Sequence, residues 1–415
     1  MILIAFRLLL ANLPDQYLLT SDAVMEVEVS LESGPVCLAG EEIRAKIVYS
    51  LPPTADQEVC LAWATAQLHC FCTVNQQRVA LQGDGSVSRK SSNTSTAALQ
   101  SSFQPTAGEA GVCVLATPAK ILLCDLSLYP GQRQEYIYQE TVPAAAPPSY
   151  RGAAIKYSYK LTVGTQRLGQ RNVSLLRVPL RVLSVSDLVL PSTEGTAAVE
   201  RLGPSSPFLE AETTAGEGEV VSRSDLVMQA VQDITSRRRT SYFNIANTRG
   251  RVCKLCIFKT DYRLGEDIVA SLDLTVGTLD CVQYSVSLCM AEKVSGDHKV
   301  KEDQQDKILS HSRHHEVSLG FDHSHFVLPV PLQLAPSFST PVCSVSYYLH
   351  FEFVTTASRG QKQEVPEDEG GSEWQGPTKM EIETMVWDLP IKLYTTFPNH
   401  AAQSFRHDAT ARGTA

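Results

Sequence analysis

Cys253 and Cys256 are separated by two residues, the spacing with which a pair of thiolates binds zinc. A structural zinc site takes four ligands, so a second pair would have to lie at a suitable distance. The residues of suitable type, His69, Cys70 and Cys72, are far away in the sequence. Positions three apart in an extended strand point to opposite faces, so the two thiols would diverge. The sequence therefore predicts no metal site here, and it indicates no cofactor.

A run of histidines also offers potential metal ligands: His311, His314, His315, His323 and His325. His323 and His325 would share one face of a strand, but no carboxylate or cysteine cluster nearby completes a site. We interpret the run as a solvated loop that leads into a strand from Phe326 to Pro331. The chain contains no nucleophile elbow, phosphate-binding loop, dinucleotide fingerprint or metalloprotease helix motif. The sequence thus gives no positive case for an enzyme.

The tetrapeptide from Pro147 to Tyr150 reads Pro-Pro-Ser-Tyr, the ligand motif of WW domains. A working ligand should lie in an exposed, extended segment. Here the motif directly precedes a strongly alternating stretch at 155–163, and its counterpart at 336–338 lacks the full motif. We interpret the tyrosine as a structural residue, with a WW-domain ligand as the alternative.

The composition narrows the class of partner. The chain has 415 residues, a net charge of −9 and a pI near 5.6. This charge argues against broad nucleic-acid binding, which needs a basic footprint, and against a polybasic membrane anchor. Eleven cysteines, mostly in apolar strand-like runs, suit a reduced cytosolic protein. Residues 1–24 lack the basic start of a signal peptide, and we interpret them as an extension, disordered or an artefact of the gene model, with Met25 as an alternative start.

One pattern occurs twice in the chain. Three pairs of segments match in the same order: 38–43 with 263–268, 148–163 with 336–353, and 178–182 with 389–393. An ordered repeat of about 150 residues indicates two copies of one domain rather than a solenoid of short units.

Alternation of polarity predicts strands throughout both copies. Apolar residues occupy every second position in four stretches: 25–32, 155–163, 282–290 and 345–353. Strands with one apolar face and one solvent-exposed polar face are typical of antiparallel sheets packed as sandwiches. Pro179 and Pro390 fall inside such runs, so their strands should lie at an edge or carry a bulge. Gly40 and Gly265 occupy matching turns. A glycine at both places suggests a backbone conformation, such as positive φ, that other residues rarely adopt.

The predicted fold is all-β, with two tandem antiparallel β-sandwich domains joined by an acidic linker that contains one short helix. The expected segments are a first sandwich at 25–185 with a disordered loop at 83–102, a linker at 186–240, a second sandwich at 241–397 with an acidic loop at 360–377, and a disordered tail at 398–415.

The linker helix is expected over residues 225–236, with Ser224 as its N-cap. Its apolar residues share one face, and arginines follow at the C-terminal end, where cations suit the helix dipole. The plain interpretation is a packing element between the sandwiches; the alternative is a helix that binds a partner. An apolar island in the linker is either a docking motif or packs back onto a domain. The candidate partner-binding residues are Leu226, Ala230, Ile234, Arg237, Arg238, Arg239, Phe208 and Leu209.

The stretch 147–152, followed by the strand at 157–163, resembles the arrestin fold. A closer resemblance, over about residues 25–394, is to the Rgp-one family. The segments that resemble the family occur in the same order as in its members, at 34–41, 120–126, 175–183, 204–210, 262–267 and 349–355.

This resemblance implies a function. Members of the family act as the smaller, non-catalytic subunit of a heterodimeric guanine-nucleotide exchange factor, together with a large β-propeller-containing protein. The resemblance implies activation of the Golgi Rab GTPase numbered six, input from the Rab numbered thirty-three, and retrograde endosome-to-Golgi transport. It also implies a cytosolic protein that associates peripherally with Golgi membranes through its partners.

Two other functions stay open at this point. One is an arrestin-domain adaptor that recruits a WW-domain ubiquitin ligase to cargo, although the tail from 398 has no further Pro-Pro-x-Tyr motif. The other is a retromer-like sorting subunit.

Overall fold

The computed structural model of the chain describes residues 25–80, 103–185, 223–357, 380–404 and 410–414. Strands make up nearly all of the regular structure in these ranges, and they form two sandwiches. Their pairings are antiparallel except for two short parallel ones, 36–38 with 181–183 and 261–263 with 392–394. The all-β tandem-sandwich prediction is therefore confirmed. The predictions for 1–24, 83–102 and 360–377, and those for Phe208 and Leu209, fall outside the described residues.

The first sandwich takes ten strands from the N-terminal half and one from the C-terminus. They are β1 (Glu26–Leu31), β2 (Val36–Leu38), β3 (Glu42–Ser50), β4 (Val59–Val74), β5 (Val112–Ala116), β6 (Lys120–Leu128), β7 (Arg133–Thr141), β8 (Tyr150–Arg151), β9 (Ile155–Arg167), β10 (Ser174–Leu183) and β21 (Thr410–Thr414). The first small sheet has the order β21-β1-β3-β7. The first large sheet has the order β2-β10-β9-β4-β5, with β6 paired to β4 and β8 to β9.

The second sandwich repeats this plan. Its strands are β11 (Ser241–Asn247), β12 (Gly250–Ile257), β13 (Asp261–Arg263), β14 (Asp267–Asp273), β15 (Asp280–Val294), β16 (Lys307–Val317), β17 (His323–Pro329), β18 (Phe338–Ser339), β19 (Cys343–Thr356) and β20 (Ile382–Tyr394). The second small sheet has the order β11-β12-β14-β17. The second large sheet has the order β13-β20-β19-β15-β16, with β18 paired to β19. Two α-helices, α1 (Arg223–Ser236) and α2 (Pro398–Ala402), and a short 3-10 helix (Gly296–His298) complete the described elements.

The alternation in the sequence explains how the core forms. Val27, Val29 and Leu31 of β1 are buried, whereas Glu28 and Ser30 between them lie on the outer face. Strands with this period bury one face against the opposite sheet. The buried apolar side chains of both sandwiches and of α1 form one continuous cluster, so the two halves share a core at their junction.

The repeat extends to individual hydrogen bonds. In the first sandwich, the Ser149 N–H donates to the carbonyl of Val182 at 2.7 Å, and the Val182 N–H donates back to the serine hydroxyl oxygen at 2.9 Å. In the second, Ser337 and Leu393 exchange the same two bonds at 2.8 and 3.1 Å. The Pro-Ser-aromatic motif is therefore a structural part of each sandwich.

The matching turns at Gly40 and Gly265 have φ angles of +89° and +85°, a region that favours glycine. This confirms the interpretation of those glycines. In each turn a glutamate accepts a hydrogen bond from a backbone N–H three residues before it: Glu41 from Leu38 at 2.8 Å, and Glu266 in the second turn at 3.0 Å.

We expect Gly265→Ala to destabilise the fold by about 2–3 kcal/mol, because left-handed backbone costs about 1–2 kcal/mol for a residue with a Cβ and the new methyl would lie 2.7 Å from Leu332 Cδ2. Gly320→Ala is the matched control, since Gly320 has φ +80° with open space around it. Urea unfolding should show the smaller loss for Gly320→Ala. Equal losses would mean that the contact with Leu332 contributes nothing.

The two strand prolines lie in the second strand from one end of each large sheet. Pro179 is in β10, whose outer neighbour β2 pairs only with residues 181–183. Pro390 is in β20, whose outer neighbour β13 pairs only with residues 392–394. In the pairings of the described strands, each proline therefore lies where its strand has a partner on one side only, which agrees with the predicted edge position.

The predicted disordered tail at 398–415 is wrong for the described part of that segment. Pro398 occupies the first turn of α2, where proline fits, and Ala401 is fully buried. Strand β21 pairs antiparallel with β1, and Arg412 binds Glu28 at 3.0 Å. Small and polar residues in this strand give no alternation in the sequence, so only the open edge of β1 accounts for its pairing. In the second sandwich β11 fills the equivalent place beside β12.

Candidate partner-binding site

Helix α1 begins at Arg223 and ends at Ser236, two residues earlier at its start than predicted, so Ser224 lies within the helix rather than at its cap. The buried positions are Val227, Met228, Val231 and Thr235. This buried row is offset by about one residue from the predicted apolar face, with which it shares only Val231. The predicted contact residues Leu226, Ala230 and Ile234 form a half-buried row beside the buried one.

The ends of α1 lie near the two matching Gly-Glu turns. At the C-terminal end, Lys259 donates to the carbonyl of Thr235 at 2.8 Å and pairs with Glu266 at 2.7 Å. Burial opposes ionisation of Glu266, but its bonds from Lys259 and Arg263 lower its pKa below the ordinary value. Among the described side chains, no cation pairs with Glu41. Burial raises its pKa, and the negative charge of Asp225 in the first turn of α1 adds to this.

A surface of mixed basic and apolar character continues from the end of α1 onto the second small sheet. Arg237, Arg238 and Arg239 are all exposed and lead directly into β11. Tyr242 of β11 is 62% exposed, with the Lys254 ammonium 4.6 Å from the centre of its ring. We call this region the helix-end surface and define it by Ile234, Arg237, Arg238, Arg239 and Tyr242.

The outer face of the second small sheet also carries two exposed valines among polar residues. Val269 and Val327, directly paired across β14 and β17, are both exposed on the second small sheet. At the equivalent pair in the first small sheet stand Arg44 and Gln139. That face carries an ion pair between Lys46 and Glu135 at 2.7 Å beside the exposed Ile137. Since the two sheets are copies of one plan, this difference is not required by the fold.

A buried carboxylate joins the two sandwiches. Glu292 of β15 is 1% exposed, and it accepts the backbone N–H groups of Ala153, Ala154 and Ile155 in the first sandwich at 2.8–3.3 Å. A Cβ on Gly152 would lie 2.1 Å from the carboxylate, so this glycine allows the close approach. Because the donors belong to the backbone, the carboxylate fixes the position of that loop on the second sandwich.

A buried guanidinium makes the reciprocal link. Arg181 of β10 is 7% exposed and donates to the carbonyls of Leu332 and Leu334 in the second sandwich at 2.9 and 3.0 Å. It also donates to the Ser404 hydroxyl at 3.0 Å and the Ala401 carbonyl at 3.4 Å. Burial lowers the pKa of the guanidinium. We call these contacts of Glu292 and Arg181 together the interdomain joint.

Close to the interdomain joint, the tyrosine of the Pro-Pro-Ser-Tyr motif is buried between the two sandwiches. Tyr150 is 6% exposed, and its ring meets the ring of Phe338 edge-on, with the centres 5.2 Å apart. These two aromatics follow the Pro-Ser pair in the two repeats, so the equivalent residues of the two sandwiches pack on each other. The structural interpretation of Tyr150 is confirmed.

We expect the folded chain not to bind a WW domain, because the tyrosine that such a domain needs is covered by the second sandwich. A synthetic peptide of residues 144–152 should bind the same domain. Isothermal titration of one WW domain against the chain and against the peptide tests this. Equal affinity for both would show that the motif is accessible.

The two cysteines with zinc-like spacing diverge as expected. Cys253 is fully buried, whereas Cys256 is half-buried on the opposite face of β12. The interpretation of the histidine run as a loop is wrong: His311, His314 and His315 lie on β16, and His323 and His325 lie on one exposed face of β17. Strand β16 is the end strand of its sheet and most of its positions are exposed or half-buried. Its sequence therefore shows only weak apolar alternation, which is why it was not predicted as a strand. The described ranges contain no group of three or more potential metal ligands.

A cleft of about 250 Å³ lies on the outer face of the second large sheet. Arg313 pairs there with Glu352 at 3.2 Å, and Ser285 donates to the same carboxylate at 2.9 Å. His315 also lines the cleft, directly opposite Ser285 in the pairing of β15 with β16. The described contacts bind the serine hydroxyl to Glu352 rather than to the imidazole, and Glu352 is already paired with Arg313. This arrangement suits binding rather than nucleophilic catalysis.

Comparison with known proteins places the chain in a family. The Rgp1 family model matches residues 74–188 and 204–356. The chain belongs to the Rgp1 family. It is similar to RAB6A-GEF complex partner protein 2 of Homo sapiens, with 39% identity over 91% of this chain and 97% of that protein. The protein of the same name from Bos taurus is 40% identical over 89% of this chain and 93% of its own length.

Among solved structures, the sporulation control protein Spo0M of Bacillus subtilis matches 38% of this Rgp1-family chain and 49% of its own chain, with 12% identity and a TM-score of 0.26. That score is too low to support any argument. In the described part of the chain, no helix has the length and apolar character needed to cross a membrane.

Proposed function

We propose that this chain is the non-catalytic subunit of a heterodimeric guanine-nucleotide exchange factor that activates a Golgi Rab GTPase. The observation that carries the proposal is the 39% identity to human RAB6A-GEF complex partner protein 2, which extends over 97% of that protein. A match of that extent includes both sandwiches and the helix between them.

The geometry supports a binding role. An exchange factor needs no nucleophile; it needs surfaces that bind the open, nucleotide-free state of a GTPase more tightly than the closed state. Two sandwiches held by buried contacts present such surfaces in fixed relative positions. The helix-end surface combines three arginines with an exposed tyrosine, residue types that dominate binding energy at protein interfaces.

We propose that the helix-end surface binds the large β-propeller-containing subunit. The Rab numbered six is the proposed substrate of the complex, and the Rab numbered thirty-three is its proposed upstream input. On this proposal the chain is cytosolic, reaches Golgi membranes peripherally through these partners, and supports retrograde transport from endosomes.

The test is co-expression of the full chain with the large subunit, followed by size-exclusion chromatography with light scattering. Wild type should elute as a 1:1 complex. The variant Arg238→Glu with Tyr242→Glu should lose at least about tenfold in affinity, since hot-spot residues cost about 2 kcal/mol or more. The matched control is Arg133→Glu with Tyr129→Glu, which alters the same residue types, also exposed, on the first sandwich.

Failure of the wild-type chain to form any complex would contradict the proposed heterodimer. Loss of the complex in both double variants, or in neither, would contradict the assignment of the interface to the helix-end surface.

A further inference from the structure

Residues 103–111 cross the outer face of the first large sheet, and we call this segment the strap. Phe103 at its start is buried, and its ring meets that of Trp63 edge-on, with the centres 6.2 Å apart. The ring lies directly over Gly164, where a Cβ would come within 2.5 Å of it. The absence of a side chain at Gly164 thus creates a slot for an aromatic ring.

The other end of the strap is held by charge. The Glu109 carboxylate binds the Lys160 ammonium at 2.6 Å and the Arg177 guanidinium at 3.1 Å. Arg177 also donates to the strap carbonyl of Ala107 at 2.6 Å. Burial opposes ionisation of Glu109, but the two cations lower its pKa below the ordinary value. The carboxylate is therefore charged at neutral pH.

The face under the strap has more positive than negative charge. Lys160 and Arg177 point at the single carboxylate of Glu109. Beside them lies His69, which is fully buried, 3.4 Å from the Thr162 hydroxyl, with no partner for its Nδ1 atom. Burial lowers the pKa of His69 to about 4, so it is neutral at pH 7. A ligand for this face would have to be acidic.

The second sandwich shows that its sheet does not need a strap. Strand register makes Glu352 the counterpart of Gly164 and Tyr348 the counterpart of Lys160, counting from the matching prolines. On that sheet, the described residues leave the equivalent region open as the cleft beside Glu352 and Arg313. Within the described residues, the slot, the two cations and the strap are therefore found only in the first sandwich, and they occur together.

We propose that the strap is an internal ligand that covers a docking site for an acidic peptide of a partner protein. The peptide would carry an aromatic residue six positions before a carboxylate, as Phe103 stands before Glu109. Its ring enters the slot over Gly164, and its carboxylate pairs with Lys160 and Arg177. Release of the strap opens the site, so the strap and the partner compete.

The test uses the full chain and a labelled peptide with the strap's own sequence, residues 103–110. In the opened variant, Phe103→Ala with Glu109→Gln, the strap is released but Gly164, Lys160 and Arg177 are intact. Fluorescence anisotropy should show at least about tenfold tighter peptide binding to the opened variant than to wild type, because a tethered strap competes at high effective concentration. Circular dichroism first establishes that the opened variant is folded. If it is not folded, the single variant Glu109→Gln takes its place in the binding experiment.

Two controls make the result specific. A peptide with glutamine in place of the Glu109 residue should bind at least about tenfold more weakly, since a charge-assisted pair is lost. The opened variant with Gly164→Ala should also bind weakly, because the methyl fills the slot. If the folded opened variant binds the acidic peptide no better than wild type does, or binds both peptides equally, the strap is a permanent part of the sandwich and the proposal is wrong.

Discussion

Replacing Glu292 with alanine should cost about 3–5 kcal/mol of stability, because three buried N–H donors would lose their only described acceptor and each such loss costs about 1–3 kcal/mol. The donors belong to residues 153–155 of the first sandwich, and the carboxylate is almost completely inaccessible to water. Glu292→Gln should cost less, about 2 kcal/mol, because the amide keeps one acceptor oxygen but turns an N–H group toward the donors.

Urea unfolding measures the loss, and hydrogen exchange locates it: the amides of residues 153–155 should exchange faster in Glu292→Ala than in wild type. The control is Glu352→Gln on the neighbouring strand β19. Glu352 has a 41% exposed side chain and pairs with Arg313 at the surface, so its loss should stay within about 1 kcal/mol. If Glu292→Ala were no more destabilising than this control, the carboxylate would not hold the sandwiches together.

Replacing Arg181 with alanine should cost about 3–4 kcal/mol, since hydrogen bonds from a charged donor contribute about 1.5–3 kcal/mol each and the carbonyls of Leu332 and Leu334 would stay buried. Arg181→Lys should recover only part of this, because one ammonium cannot reproduce the spread of donors on a guanidinium. Arg181 also contacts Ala401 and Ser404, so the region of α2 should become sensitive to protease in both variants.

The duplication supplies the control for Arg181. Its counterpart in the second repeat is Lys392, which lies 5.1 Å from the centre of the Tyr394 ring. A half-exposed contact of this kind contributes about 0.5–1 kcal/mol, so Lys392→Ala should be mild in the same unfolding experiment. Comparable losses for Arg181→Ala and Lys392→Ala would contradict the interdomain role of the guanidinium.

The sequence was sufficient to predict the sandwiches because their signal is local. Period-two alternation, the doubled Gly-Glu turn and the doubled Pro-Ser-aromatic motif are each contained within a few residues. The role of Tyr150 also followed from the repeat, since Phe338 at the equivalent place cannot be part of a WW ligand. These patterns determine which faces are buried, and burial determines the sheets.

The interdomain joint could not be predicted in the same way. Glu292 stands near the end of a strand beside Lys293, where a glutamate ordinarily faces water, and its partners are backbone groups some 138 positions away. Arg181 gave a slightly stronger signal, as a cation in an otherwise apolar motif that recurs with lysine. The rotation of α1 and the pairing of β21 likewise depend on the surfaces they meet, not on their own residues.

We propose that this chain acts as one half of an exchange factor, and a measurement of GDP release tests this proposal. Fluorescent GDP is loaded onto the Golgi Rab numbered six, and its release is followed with the full chain alone, with the large subunit alone, and with both. We expect GDP release to be accelerated only when both subunits are present. Release by either subunit alone at the rate of the pair, or no acceleration by a purified complex of the two, would contradict it.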